Sequence, residues 1–420
     1  LLIYVLSSSM SKSKITLSHA ARKAIDLEAK YGAMNYAPLP VVLARGKGVH
    51  VWDVDDNQYL DMLSAYSAVN QGHCHPRLLK VLKEQSERLT LTSRAFHNDM
   101  LGRYEEFMSK KFGYNRILPM NTGVEACDTA VKLARRWAYD VKGVPENTAR
   151  VVFANNNFWG RSLAAISASN DPSSRNGFGP FMPGFDLIKY NDVAALKKVV
   201  KNPEVAAFMV EPIQGEAGVV VPDPGYLQEV SQICKDNNVL FITDEVQTGL
   251  GRTGELLCHY DEGVRPDIVV LGKALSGGIM PVSAVLADDE IMLTVKPGEH
   301  GSTYGGNPLA DALAMEAITV LEEEDMIQNS AIMGELFRKG LKSIDSPYIE
   351  CVRGKGLFTA MVITPRKSRT AYDLCLSLMK KGLLAKQTQT HIIRFAPPLV
   401  INHEQIEHAV DLIGQALKEY

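Results

Sequence analysis

Residues 239–245 read VLFITDE: four apolar residues, a threonine, then Asp244 and Glu245. An unbroken apolar run of this length fits a strand buried on both faces, as parallel sheets require. Three other runs share the form: RVVFA at 150–154, AAFMVEP at 206–212 and DIVVLGKA at 267–274. Helical patterns at 192–201 and 224–237 lie between them. Strand and helix in alternation predict an α/β fold with a mainly parallel sheet covered by helices. Active sites on such sheets lie beyond the carboxyl ends of the strands.

Outward from this centre, residues 15–32 predict a short helix. GKGVHVWDVDDNQYLDML at 46–63 predicts a hairpin turning at Asp55, Asp56 and Asn57. A long helical stretch at 309–344 leads into a smaller mixed region. That region has strand-like CVRGKGLFTAMVI (351–363) and HIIRFAPPLV (391–400), then a final helix. The expected division is leader-like residues 1–14, an N-terminal helix and hairpin segment 15–66, a large domain 67–313 and a small α+β C-terminal domain 314–420. The run LLIYVLSSS ahead of Met10 is too short for a signal-peptide core or a membrane span. Met10 is the expected start. No Arg-rich transit pattern is visible, so the cytoplasm is the expected compartment, with the mitochondrial matrix as the alternative if a presequence was removed.

The 420 residues carry 45 Lys and Arg against 48 Asp and Glu, with 46% hydrophobic and 22% charged residues. These values exclude disordered, collagen-like and low-complexity classes. The net charge of -3 gives no basic footprint for nucleic acid. Cys74, Cys127, Cys234, Cys258, Cys351 and Cys375 form no C-x-x-C pair, which fits reduced thiols in an intracellular protein.

Among twenty residues at 268–287, IVVLGKALSGGIMPVSAVLA, the single charge is Lys273. A Lys that snorkels to the surface is the bland reading. A buried lysine is expensive unless its pKa falls, and a neutral amine is what carbonyl chemistry needs. Asp244 ends a buried strand, where a carboxylate can bind a metal, act as a base, cap, or face a ring nitrogen. Adjacent parallel strands would bring it near Lys273. A lysine for an aldehyde and an acid for a pyridine nitrogen together suggest pyridoxal 5′-phosphate (PLP).

Thr122-Gly123-Val124-Glu125 has the form of a capping box. Plain capping is the better reading of it alone, but the free amides of Gly123 and Val124 suit a phosphate. His300 to Pro308, containing Ser302 and Thr303, is equally a tight turn before a helix. Gly72-His73-Cys74-His75-Pro76 is too crowded for one metal ion, and no metal is expected. Arg394 is the one charge in IIRFAPPLV; a substrate carboxylate or a structural acid could pair with it.

Taken together, these residues resemble the class III, fold-type I PLP-dependent aminotransferases, above all those acting on ornithine. The likeness runs from about Tyr31 to the C-terminus, through LPMNTGVEA (118–126), VEPIQGEAGVVVPDPGY (210–226), TDEVQTGLGRTG (243–254), LGKALSGG (271–278) and PGEHGSTYGGNPL (297–309). It implies a large domain with a seven-stranded sheet and a homodimer with shared sites. It implies that Lys273 bonds to the cofactor aldehyde and shuttles the proton, while Asp244 keeps the ring nitrogen protonated. Gln247 would contact the ring hydroxyl, and Phe158 and Val246 would flank the ring. Gly123 and Val124 would bind the phosphate, and Ser302 and Thr303 would reach that of the neighbouring subunit. Tyr36, Tyr66 and Arg161 would hold L-ornithine. Arg394 would take the α-carboxylate of glutamate or 2-oxoglutarate, pairing with Glu216 while ornithine is bound. The reaction implied is ping-pong transfer of the ornithine δ-amino group to 2-oxoglutarate. Acetylornithine and 4-aminobutyrate aminotransferases are the rivals within the fold, and a non-catalytic PLP-binding protein is the rival outside it. No G-x-G-x-x-G follows an early strand, which counts against a dinucleotide-binding dehydrogenase.

Overall fold

A computed structural model describes residues 16–364, 366 and 369–420. The expected leader, 1–14, lies outside the described residues. Seven strands form the central sheet, in the spatial order Arg116–Met120, Ser283–Ala287, Ile268–Leu271, Leu240–Asp244, Val205–Val210, Arg150–Ala154 and Phe185–Ile188. Only Ser283–Ala287 runs antiparallel to its neighbours. The other pairings are parallel.

Both faces of this sheet are apolar, which explains the unbroken hydrophobic runs. Val151 and Phe153 pack into one layer with Met209 and Ile242. The intervening Val152 and Ala154 pack into the opposite layer with Phe208 and Phe241. The helix Gly123–Trp137 covers the first face, and the helix Tyr226–Asp236 covers the second.

The expected hairpin forms as His50–Asp53 against Gln58–Asp61. Leu43–Lys47 joins one edge, and Leu383–Leu384 pairs in parallel with Gln58–Asp61. The N-terminal sheet is thus completed by a strand from the far end of the chain. A third sheet, all antiparallel, holds Ile349–Lys355, Phe358–Ile363, Ile392–Phe395 and Lys386–Thr388.

The expected helical stretch 309–344 divides into Pro308–Glu323 and Met326–Ser343, broken where Asp325 adopts a left-handed φ of 52°. The break falls in the acidic run Glu322, Glu323, Glu324 and Asp325, where Lys111 pairs with Glu322, and Arg77 pairs with Glu323 and Glu324. The first helix runs without interruption through residue 313.

Candidate active site

Three neighbouring parallel strands end on one side of the sheet, so the residues just beyond them converge. Glu211 follows Val205–Val210, Asp244 closes Leu240–Asp244, and Lys273 stands two residues past Ile268–Leu271. Asp244 is in register with Val270, which puts Lys273 one short step from it. At the opposite rim, the helix Gly123–Trp137 begins with a full capping box. Glu125 accepts hydrogen bonds from Thr122 N (2.8 Å) and Asn121 N (3.0 Å). Because helix interiors use amides from the fourth residue on, the Gly123 and Val124 amides stay available.

These residues enclose a cavity of about 230 Å3, lined by Gly123, Val124, Phe158, Asp244, Val246 and Lys273, with Gln247 and Glu216 at its side. The backbone is close-fitting here. A methyl group on Gly123 would sit 2.9 Å from Val246 Cγ1, and one on Gly160 would sit 2.4 Å from Val124 Cγ2. Lys273 itself has a φ of 44°, a conformation uncommon for a side-chain-bearing residue and frequent at functional sites.

Charge within the cavity is unbalanced. Burial pushes the Asp244 carboxyl up to about 6, although the Val246 amide at 3.0 Å pulls the other way. Among the described residues its second oxygen accepts only the Cys127 thiol, at 3.5 Å. Burial lowers Lys273 to about 8, with Glu216 the main opposing influence. Burial, then the nearby Asp244, holds Glu211 well above the usual carboxylate range. No cation lies within hydrogen-bonding distance of Asp244 among the described residues, so a protonated ring nitrogen fits this position. The cavity therefore suits PLP by its donor set: an amine, an acid without a cationic partner, flanking Phe158 and Val246, and free helix-start amides.

Beside the cavity, Arg394 Nη1 contacts Glu216 Oε1 at 2.8 Å and Gln247 Oε1 at 3.1 Å. Burial acts to raise Glu216, but Arg394 and then Lys273 hold it below the ordinary value. Arg394 is only 2% exposed, and its Nε has no hydrogen-bond partner among the described residues, so donor capacity remains for a carboxylate. Its guanidinium carbon lies 4.9 Å from the Tyr66 ring centroid. Tyr66 sits in a run of four left-handed residues, Ser64 to Ser67, with φ of 44°, 50°, 60° and 72°. Such backbone costs about 1–2 kcal/mol per residue, so the surroundings must enforce it.

Other expected site residues are not brought into the cavity of the single chain. Tyr36 is 79% exposed. Arg161 is exposed, its guanidinium carbon 5.5 Å from the Phe158 ring centroid. Thr303 is exposed, and Ser302 Oγ accepts from Asn121 Nδ2 at 2.8 Å. Sequence reading missed two residues. Glu211 lines the cavity and accepts the Phe158 amide at 3.0 Å. Its signal was the one that revealed Asp244, a carboxylate ending an apolar strand. Cys127 stood in the sequence only among six reduced thiols, and nothing in its spacing announces a contact with Asp244.

Residues 31–417 match the family described as Aminotransferase class-III. A Caenorhabditis elegans protein named probable ornithine aminotransferase, mitochondrial, is 62% identical over 96% of this chain and 95% of its own. A Rattus norvegicus ornithine aminotransferase, also named mitochondrial, is 59% identical over 94% and 90%. The solved Toxoplasma gondii ornithine aminotransferase, described with partial occupancy of PLP at its active site, superposes with a TM-score of 0.93 at 47% identity, covering 95% of this chain and 94% of that one. An acetylornithine aminotransferase from Elizabethkingia anophelis gives a TM-score of 0.87 at 49% identity, covering 95% and 99%. By sequence and by the site its strands assemble, the chain belongs to the class III aminotransferases.

Proposed function

We propose that this chain is a PLP-dependent ornithine δ-aminotransferase. It moves the δ-amino group of L-ornithine to 2-oxoglutarate, giving glutamate 5-semialdehyde, which cyclises to pyrroline-5-carboxylate, and L-glutamate. The observation that carries the reading is the Arg394–Glu216 pair beside Lys273, with Tyr66 stacked against the arginine.

Bound PLP supplies an aldehyde that carries the amino group and a ring that draws electrons from the carbon being deprotonated. The chain's residues do the rest. Asp244 holds the proton on the ring nitrogen, and Phe158 and Val246 restrain the ring between them. Gln247 meets the ring hydroxyl, and the Gly123 and Val124 amides hold the phosphate. Lys273 Nζ, once free, carries the proton between the ornithine δ-carbon and the cofactor. Tyr36, Tyr66 and Arg161 hold the far end of ornithine.

Selectivity follows from electrostatics. While Glu216 neutralises Arg394, no bare cation draws the α-carboxylate of ornithine toward the cofactor. When 2-oxoglutarate enters, Arg394 turns to its carboxylate. One ion pair replaces another, which avoids the several kcal/mol of an unpaired buried charge.

Thr303 and Ser302 fit a role at the site of a second copy, in a homodimer with shared sites, since both stand clear of their own cavity. The division at residues 14, 66 and 313 belongs to the same reading. So does a cytoplasmic location, for which the mitochondrial names of the nematode and rat relatives make the matrix the competing compartment; fractionation decides between them. No helix among the described residues is long and apolar enough to cross a membrane.

The Elizabethkingia likeness keeps acetylornithine as a second donor to be tested. The purified enzyme is assayed with L-ornithine, acetylornithine and 4-aminobutyrate, each with 2-oxoglutarate. The highest kcat/KM with L-ornithine is expected; a preference for either other donor overturns the assignment.

A further inference from the structure

Arg252 lies outside the cavity, yet it is fully buried and forms no ion pair with a carboxylate among the described residues. Four neutral oxygens hold its guanidinium instead. Nη1 donates to Leu357 O at 2.8 Å and to Pro397 O at 2.6 Å. Nη2 donates to Ser64 Oγ at 3.0 Å and to Asn70 Oδ1 at 2.6 Å. The Ser64 hydroxyl passes the link on, donating to Ala396 O at 2.7 Å.

One cation therefore ties two distant parts of the chain together. The first is the left-handed run 64–67, which carries Tyr66. The second is the segment 396–397, which directly follows the strand bearing Arg394. The run is anchored from its other side by Asp61, whose Oδ1 accepts from Leu63 N (2.8 Å) and Ser64 N (2.9 Å). Asp61 fixes where the run begins; Ser64 Oγ and the Ala396 amide, which donates to Met62 O at 2.7 Å, join the run to the segment of Arg394, and Arg252 braces both sides at once through Ser64 Oγ and Pro397 O. Burying a cation without an acid is costly, and an apolar side chain would fill the space more cheaply. What an apolar side chain cannot do is hold four acceptors from separate segments at fixed distances.

We propose that Arg252 is a positioning residue for substrate recognition: its guanidinium clamps turn 64–67 to segment 396–397 and so sets the contact between Tyr66 and Arg394. The proposal rests on reading those two residues as substrate-binding. It predicts that substrate affinity, and not cofactor chemistry, depends on Arg252.

The test uses the PLP-loaded enzyme with Arg252→Lys and, separately, Ser64→Ala. Lysine keeps the charge but lacks the planar fork needed to reach four acceptors. KM is measured for L-ornithine and for 2-oxoglutarate, together with kcat and the visible absorption of bound cofactor. The expected result is a KM increase for both substrates on the order of tenfold in Arg252→Lys and roughly threefold in Ser64→Ala, with much smaller losses in kcat and an unchanged cofactor band. KM values within about twofold of the unmodified enzyme overturn the proposal whatever the melting temperature does, because a purely structural role lowers stability without moving KM. A lowered kcat with a shifted cofactor band and unchanged KM also overturns it. Should Arg252→Lys fail to fold, Ser64→Ala, which removes one hydroxyl, decides alone. An unmodified enzyme that does not turn over L-ornithine defeats the functional reading instead, before any variant is made.

Discussion

Glu216 Oε1 lies 2.8 Å from Arg394 Nη1 and 3.4 Å from Gln247 Nε2, so one carboxylate oxygen joins the arginine to a residue lining the cavity. The arginine is sealed from solvent, whereas about a third of the glutamate side chain is open. The acid is therefore the partner that can leave, and the arginine is the partner that stays to receive a carboxylate.

Glu216→Ala should change donor preference before it changes stability. With its partner gone, Arg394 stands as a bare cation beside the cavity. Donors that offer an α-carboxylate at that position gain, while ornithine bound by its far end loses. The ratio of kcat/KM for glutamate to that for L-ornithine should rise at least tenfold, the equivalent of about 1.4 kcal/mol in differential binding. An unchanged ratio would remove the pair from the account of selectivity.

Lys273→Ala should abolish turnover even where PLP still binds, since no other amine among the described residues lines the cavity. Before cofactor is added, burial sets the Lys273 ammonium at about 8. An amine is nucleophilic only when unprotonated, so capture of PLP by the cofactor-free protein should quicken as pH rises through that value. Glu216 favours the charged ammonium, and Glu216→Gln should move the midpoint downward. Stopped-flow absorbance against pH measures both. Borohydride treatment should fix the cofactor to residue 273 in the unmodified protein and to nothing in the variant.

The central sheet was legible because both its faces are buried, which writes short unbroken apolar runs, and because helical patterns alternate with them. Lys273 and Arg394 were legible for the same reason, each being the lone charge in an apolar stretch, and Asp244 because it closes such a stretch; the fold brings all three to one side of the molecule. Arg252 carried no such mark. Its immediate neighbours are Gly251 and Thr253, and the hydrogen-bond partners of its guanidinium lie 105 to 188 residues away in the chain. The left-handed turn at 64–67 was equally silent, for Ser-Ala-Tyr-Ser has no residue that favours positive φ. Tertiary contacts enforce that conformation, and one sequence does not display them.

Asp311→Asn should stabilise the protein increasingly as pH rises. Asp311 is 1% exposed and neither carboxylate oxygen has a hydrogen-bond partner among the described residues. Burial first, then Glu105, raises its pKa to about 8, against a weaker pull from Arg94. The folded protein thus keeps a proton that the unfolded chain releases near pH 4, and stability falls with rising pH between those values. Asparagine has the same shape and no proton to lose. Thermal midpoints measured from about pH 5 to about pH 8.5 should diverge in favour of the variant. Parallel curves would show that Asp311 keeps a compensated charge.

Cys127→Ala bears on the acid at the foot of the cavity. The Cys127 thiol donates to Asp244 Oδ2, and burial holds that thiol far above its ordinary pKa, so it remains a donor through the working range. A donor to the charged form lowers the pKa of an acid. Removing it should raise Asp244 above about 6, leaving the carboxylate neutral over more of the acidic range. A neutral acid cannot pair with a protonated ring nitrogen, so PLP affinity should weaken on acidification at a higher pH in the variant than in the unmodified protein. Equilibrium titration of the cofactor-free protein with PLP across pH reads this directly. The alanine also leaves a small void, which lowers stability at every pH alike; only a displaced midpoint reports on the hydrogen bond, and superimposable pH profiles would show that the Val246 amide orients Asp244 unaided.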